Sequence, residues 1–305
     1  MKKLLEPEIQ NMNNIKSVAV VISTYNRKKY LNTILSQIKD QKVDDLSIFV
    51  IVIVDGSTDG TIESVKVNFP DVKLIIGTGN WWWTKCMNEG FKKAIELHAD
   101  YILVLNDDTE IKPDYISSLW TDYRTLPDCA VLGSASVSID PAGLIDFAGT
   151  RDMKLWCMKT TKYLSELTPL YSDFKGIFPT WTMNGRGSFF AVSLLEKIGM
   201  YDEKLVQYGS DDEFALRARK MGFSVYISWN AHVYNNLFMT SEGTAFRKDP
   251  FWKFIKSFGN PHSVNSLKKA SYLYGKYGVK ILTPFYLVYF FIGTIKAYLF
   301  KYRSI

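Results

Sequence analysis

The chain has 305 residues, 47% hydrophobic and 22% charged, enough apolar sequence for one large α/β domain with an appendage. Its three cysteines, Cys86, Cys129 and Cys157, lack CxxC spacing, which argues against a disulfide framework or a zinc site and suits a reducing compartment. The net charge of +6 is uneven: residues 251–305 carry nine Lys or Arg and no Asp or Glu, leaving −3 for residues 1–250.

Residues 1–14 contain charges but no apolar core of the kind a signal peptide needs. Val18 to Ile22 is a continuous apolar run of strand length, the pattern of a strand buried on both faces. Residues 27–38 follow, with Leu31, Ile34, Leu35 and Ile38 on one helical face. A second buried strand over 48–54 is closed by Asp55-Gly56-Ser57-Thr58-Asp59-Gly60. Then come a short helix over 61–67, a strand over 73–76, a helix over 84–98 and a strand over 101–105. This β-α-β-α-β-α-β alternation implies a parallel sheet with right-handed crossovers. Ligands of such sheets bind beyond the carboxyl ends of the strands. Ser23 to Asn26, Asp55 to Ser57 and Asn106 to Asp108 all fall there.

Beyond about residue 128 the alternation breaks down. A strand is predicted over 129–139, followed by irregular sequence to Thr182. Regularity returns with a strand over 187–192, helices over 193–198 and 211–221, and a late strand over 224–228.

Several motifs carry chemistry. Asp55 in its Gly-rich turn is either an Asx-turn or a carboxylate accepting an N–H from a nucleobase, with Tyr25 offering a ring nearby. Asp107 and Asp108 repel one another at a buried strand end unless a cation or a donor compensates. Oxygen ligands with few histidines suit Mg²⁺ or Mn²⁺, which bridge a carboxylate to a diphosphate. Ser210-Asp211-Asp212-Glu213 reads as a capping box, which explains Ser210 and Glu213 but not the two acids between them. A helix start at a cleft would present one of those acids as a general base. Trp81-Trp82-Trp83 cannot all face a core, so at least one is expected to line a cleft. Trp181 to Gly187 brings glycines for close approach and Arg186 for an anion or a carboxylate. His98, His232 and His262 show no ligand spacing, and no Walker loop, Gly-x-Ser-x-Gly or Gly-x-Gly-x-x-Gly is present.

In order along the chain, Val18 to Arg27, Val54 to Thr61, Gly79 to Thr84, Leu105 to Thr109, Asn184 to Gly187 and Tyr208 to Arg217 resemble glycosyltransferase family 2. The resemblance covers about residues 17–236 and is strongest to bacterial, rhamnosyltransferase-like members that build surface polysaccharides. It implies a GT-A fold, with a nucleotide-binding half over 17–128 and an acceptor-binding half over 129–236. It also implies inverting transfer from a UDP-, dTDP- or GDP-linked sugar to a glycan or lipid-linked acceptor. Asp211 would be the base and Asp108 the ligand of Mg²⁺ or Mn²⁺. Thr24, Tyr25, Asn26, Arg27, Asp55, Asn80, Trp83 and Asp107 would form the donor site. Trp82, Trp181, Asn184, Arg186 and Asp212 would face the sugar or the acceptor, and Arg217 would sit behind the acidic turn. Two positions depart from the family: Asn106 replaces the first acid of the DxD motif, and Asn235 stands where many relatives have a metal-ligating His. The alternatives are a nucleotidyltransferase, for which Ser23 to Arg27 lacks the Gly-rich phosphate loop, and a non-catalytic nucleotide-sugar-binding protein.

Residues 237–305 form the remaining region, expected to be helical, aromatic and basic. Its cations flank the apolar run from Ile281 to Ile292, which fits an anionic membrane surface better than nucleic acid. The run is about 15 residues before Lys296, short of a span, and Pro284 and Gly293 interrupt it. The expectation is a cytoplasmic enzyme peripheral to the inner face of the cell membrane. The competing expectation is a tail packed on the domain or joining a homodimer.

Overall fold

The computed structural model describes residues 15–140, 142–236 and 250–300. The first half follows the expected alternation: β1 (Lys16–Thr24), α1 (Lys28–Lys39), β2 (Leu46–Asp55), α2 (Thr61–Asn68), β3 (Lys73–Gly77), α3 (Trp82–Glu96) and β4 (Tyr101–Asn106). Pairing of β1 with β2, of β2 with β3 and of β1 with β4 is parallel throughout. The runs are apolar at every position because each strand feeds two cores. Val18, Val20 and Ile22 pack beneath α1, whereas Ala19 and Val21 pack beneath α3 with Met87 and Phe91.

The second half comprises β5 (Thr109–Glu110), α4 (Tyr115–Tyr123), β6 (Val131–Asp140), β7 (Leu144–Phe147), β8 (Thr150–Lys154), β9 (Lys159–Lys162), β10 (Thr168–Pro169), β11 (Ile177–Pro179), β12 (Ser188–Ala191), α5 (Val192–Ile198), α6 (Ser210–Lys220) and β13 (Val225–Asn236). The main sheet runs β10-β7-β6-β12-β4-β1-β2-β3, with β13 joined to β6, β5 and β11. Two corrections apply to the sequence reading. The late strand extends to Asn236, and the stretch after residue 140 contains short paired strands, including the separate β8–β9 hairpin. Neither has the long apolar run that betrays a buried strand: β9 reads Lys-Thr-Thr-Lys and is mostly exposed.

The chain steps from β1 to β2 and β3 on one side, then returns to place β4 on the other. That reversal opens a crevice beyond Thr24 and Asn106, which lie level because Ser23 is in register with Asn106.

Three helices follow: α7 (Phe251–Ser257), α8 (Leu267–Tyr277) and α9 (Thr283–Phe300). Pro284 does not break α9, because it occupies the first turn, where no intrahelical N–H is needed. The helix also runs through Gly293. With the 3₁₀ turn at its start it spans Lys280–Phe300, 21 residues that include an 18-residue stretch of mean hydropathy 1.4, long and apolar enough to cross a membrane by length and composition. One face is nevertheless docked: Tyr286 stacks on Tyr274 (4.1 Å), Phe291 meets Phe258 (4.6 Å) and Tyr298 stacks on Phe254 (4.0 Å).

Candidate active site

The acids at the end of β4 are held by cations and hydroxyls from β1 and the turn after it. Thr24 Oγ1 donates to Asp107 Oδ2 (2.7 Å), and Arg27 Nη1 reaches Asp107 (3.1 Å) and Asp108 (2.8 Å). This supplies the compensation that two adjacent carboxylates require. Burial pushes Asp107 up to about 6, and Arg27 opposes that rise. Asp108 Oδ1 is buried without a hydrogen-bond partner, an acceptor left over in the cleft. Asn106 does not join it: its Oδ1 accepts from Trp83 Nε1 at 3.3 Å.

Asp55 organises the tryptophan loop. Its oxygens accept from the backbone N–H of Gly79 (2.6 Å), Trp81 (2.8 Å) and Trp82 (3.0 Å). A carboxylate offers about four acceptor positions, so one remains, as many as a single imide N–H of a nucleobase requires. The loop is strained, since Trp82 adopts φ +59°. Trp82 and Trp83 line the cleft, while Trp81 packs against the core beneath Lys85. Tyr25, 60% exposed, stands at the mouth.

Asp211 lies in the first turn of α6, where the helix N-terminus favours a carboxylate. Gly185 N–H donates to its Oδ2 (2.8 Å) and Asp212 N–H to its Oδ1 (3.0 Å), which fixes the carboxylate plane. Only glycine fits at 185, because a Cβ there would lie 2.4 Å from the Trp83 ring. The capping box read from sequence is not formed. Ser210 is instead the first helical residue, with its hydroxyl against Thr84 (2.9 Å). Glu213, fully buried, turns back to Arg217 (2.9 Å), Lys276 (2.7 Å) and Tyr277 (2.6 Å). Arg217 also donates to the carbonyls of Ile198 and Met200, behind the acidic turn as expected.

Arg186 is almost buried at the cleft wall, 3.8 Å from Asp146. With the Asn235 amide turned so that its nitrogen donates to Val137 O (3.2 Å), its oxygen accepts from Arg186 at 2.6 Å. Asn235 therefore holds a guanidinium. Among the described residues no group of three His, Cys, Asp or Glu side chains is arranged to hold a metal. His232 sits apart, its Nδ1 on the carbonyl of Trp229 (2.9 Å).

Thr24, Tyr25, Arg27, Asp55, Trp82, Trp83, Asp107, Asp108, Asn184, Arg186, Asp211 and Asp212 converge on one cleft of about 890 Å³, near the top of the usual range for small-molecule sites. Three expected residues stand outside it. Asn26 caps the neighbouring turn, accepting from Thr58 N–H at 2.7 Å. Asn80 is exposed on the tryptophan loop. Trp181 lies under Arg219 (4.2 Å) in a separate hollow of about 490 Å³. Sequence reasoning missed Gln207, which accepts from Trp83 N–H (3.3 Å), and the wall built by Lys162, Lys269, Leu273 and Tyr286. Those four carry no local motif.

A crevice at the switch point of a parallel sheet, with acids on both sides, is where α/β folds bind their ligands. The profile described as Glycosyl transferase family 2 matches residues 19–177, more than half of the chain, and the chain belongs to this family. The dTDP-rhamnosyl transferase RfbF of Shigella flexneri is 24% identical over 212 residues, which is 69% of this chain and 66% of that protein, so the chain spans just under two thirds of that relative. Residues 1–349 of S. aureus TarS match with TM-score 0.53 at 16% identity, covering 94% of this chain and 90% of that one. GalNAc-T7, solved with UDP, GalNAc and Mn²⁺, matches with TM-score 0.57 at 14% identity, covering 92% of this chain and 58% of that one. At these identities the structures establish the fold, which is GT-A.

Proposed function

We propose that the chain transfers a sugar, with inversion, from a nucleoside-diphosphate sugar to a hydroxyl of a cell-surface glycan precursor. The observation that carries this reading is Asp211. It is oriented by Gly185 and Asp212, at a helix start, in the same cleft as the Asp107–Asp108 pair. A base is needed because a hydroxyl attacks poorly until its proton has somewhere to go. Asp211 would take that proton as the hydroxyl oxygen bonds to the anomeric carbon and the bond to the diphosphate breaks. The diphosphate leaves with both electrons of that bond, and Arg27 and Arg186 would face the negative charge that develops.

Asp108 Oδ1 is the protein oxygen suited to a divalent ion, and one carboxylate with diphosphate oxygens and water is a usual Mg²⁺ arrangement. The ion, when bound, would offset charge on the leaving diphosphate. Asp55 and Tyr25 would hold the nucleoside, and Trp82 would face the sugar. The RfbF likeness makes dTDP-rhamnose the first donor to test, and the complex of TarS with UDP-GlcNAc (16% identity) the second.

The test is turnover of a nucleotide-sugar panel with Mn²⁺, read as release of nucleoside diphosphate, for wild-type and Asp211→Asn. Wild-type should turn over one donor. The variant should lose about 10²–10⁴-fold in transfer while donor affinity stays within about twofold. Retention of more than a few per cent of turnover in a folded variant would remove Asp211 from the role.

A further inference from the structure

Behind α6 lies the second hollow, of about 490 Å³, within the usual range for small-molecule sites. Leu216 lines both it and the cleft, so the two cavities share α6 as a wall. Asp211 and Asp212 stand on the cleft side, Arg219 and Lys220 on the other. The remaining walls come from the tip of the β8–β9 hairpin, the start of β13 and the end of α8. The proposed transfer chemistry gives this hollow nothing to do.

Its charge is one-sided. Arg219, Lys220 and Lys276 line it, and no Asp or Glu does. Lys276 is engaged by Glu213 and Asp202, whereas Arg219 and Lys220 bond no carboxylate among the described residues. The Arg219 guanidinium is held in place: it stacks on Trp181 at 4.2 Å and donates one N–H to the Thr180 carbonyl at 3.1 Å. The rest of its planar fork of donors has no protein partner. Burial pulls its pKa below the ordinary arginine value, and no neighbouring acid pulls it back. A half-buried, immobilised guanidinium without a counter-charge suits an anion that can accept two parallel N–H bonds.

The hollow offers more than charge. Trp181, Phe223, Tyr226 and Tyr277 supply ring surface, and the hydroxyls of Ser224 and Tyr226 make no hydrogen bond among the described residues. Ring faces pack against the C–H groups of a pyranose, and idle hydroxyls can donate to or accept from its OH groups. At the rim, a Cβ on Gly222 would meet nothing within 4 Å, so the entrance is open. An inorganic anion would use the cations and leave the aromatic wall and the hydroxyls without a role.

We propose that this hollow is a second saccharide-binding site, which takes a sugar bearing a carboxylate or a phosphate. The anion meets Arg219 and Lys220, and the ring lies against the aromatic wall. The site is separate from the cleft and uses neither Asp211 nor a metal, so it goes beyond the glycosyltransfer reading and does not depend on it.

The experiment uses full-length protein with Mg²⁺ and saturating dTDP, so that the cleft is occupied. Glucuronate, glucose 6-phosphate, glucose and inorganic phosphate are titrated, and binding is read by saturation-transfer NMR and calorimetry. At least one charged sugar should bind at least tenfold more tightly than glucose and than inorganic phosphate, and which one does so identifies the anionic group. Arg219→Gln should erase that preference with dTDP affinity unchanged. Lys220→Gln, at an exposed position that the fold tolerates, should reduce it several-fold. Equal binding of charged and neutral sugars overturns the anion contact, and inorganic phosphate binding as tightly as either charged sugar overturns the saccharide. Displacement of dTDP by the charged sugars, or a preference unchanged in both variants, puts them outside the hollow and overturns the site. Failure of every nucleotide sugar to turn over would sink the glycosyltransfer reading and leave these binding results standing.

Discussion

At the scale of single residues, two carboxylates on the proposed donor side are held in different ways. Asp108 has one oxygen on Arg27 and one without a partner, whereas Asp55 has three of about four acceptor positions on backbone N–H groups. Their variants should therefore differ in kind. Asp108→Ala should weaken nucleoside-diphosphate binding at least tenfold in Mn²⁺ but little in EDTA, because it would remove the proposed ion ligand and leave the proposed nucleoside contacts intact. Asp55→Ala should weaken binding equally in both conditions. It should also lower the melting temperature, since three part-buried backbone N–H groups that shape the tryptophan loop lose their acceptor. Calorimetric titration with and without the metal checks both. A wild-type indifferent to EDTA would mean that Asn106 and Asn235 mark a chain in which Arg27 and Arg186 supply the positive charge alone.

At the scale of elements, the helix that carries Asp211, the proposed base, is tied to the C-terminal region through one buried acid. Glu213 receives Arg217 from its own helix and Lys276 and Tyr277 from α8, and Lys276 also bonds Asp202 (2.9 Å). Burial works against the Lys276 charge, but its bonds to Glu213 and Asp202 win and hold its pKa above the ordinary lysine value. The capping-box reading failed here because Ser-x-x-Glu looks the same whether Glu213 reaches back to its own turn or sideways to another helix. The partners that decide it lie more than sixty positions away. The parallel half was legible because two-sided burial writes itself as apolar runs, and the donor acids because they end those runs. The far wall of the cleft was not, since Lys269, Leu273 and Tyr286 line it only because α8 and α9 dock there. Lys276→Met should cost about 1.5–3 kcal/mol, the contribution of a hydrogen bond to a charged group. Because it loosens the helix that carries Asp211, it should lower kcat several-fold with donor KM unchanged, and Lys276→Arg should recover part of the loss. A fall in thermal stability with no change in kcat would make the contact structural only.

At the scale of the whole molecule, the C-terminal region clasps the rest of the chain at three places around the cleft. His262 stacks on Trp82 at 3.7 Å, Lys276 and Tyr277 bond Glu213 behind the turn of Asp211, and Tyr274 donates to the Trp156 carbonyl on the β8–β9 hairpin (2.5 Å). A detachable anchor would leave the domain intact when removed; a clasp would not. A chain ending at Pro250 keeps Arg217 on Glu213 but strips away its other partners and removes the part of the cleft wall built by Lys269, Leu273 and Tyr286. Breaking a buried ion pair costs on the order of 3–5 kcal/mol, and in a domain of this size that shifts the melting temperature by roughly 10 °C. The shortened chain should therefore melt well below the full chain. It should still bind nucleoside diphosphate with Mn²⁺ within several-fold, since Asp55, Asp107 and Asp108 take no bond from the removed helices among the described residues. It should lose transfer even to an acceptor presented in detergent, where membrane attachment is irrelevant. Calorimetry, donor titration and a detergent-phase transfer assay on the two chains read these three outcomes separately. Full transfer in detergent by the shortened chain, at an unchanged melting temperature, would reduce the C-terminal region to an anchor.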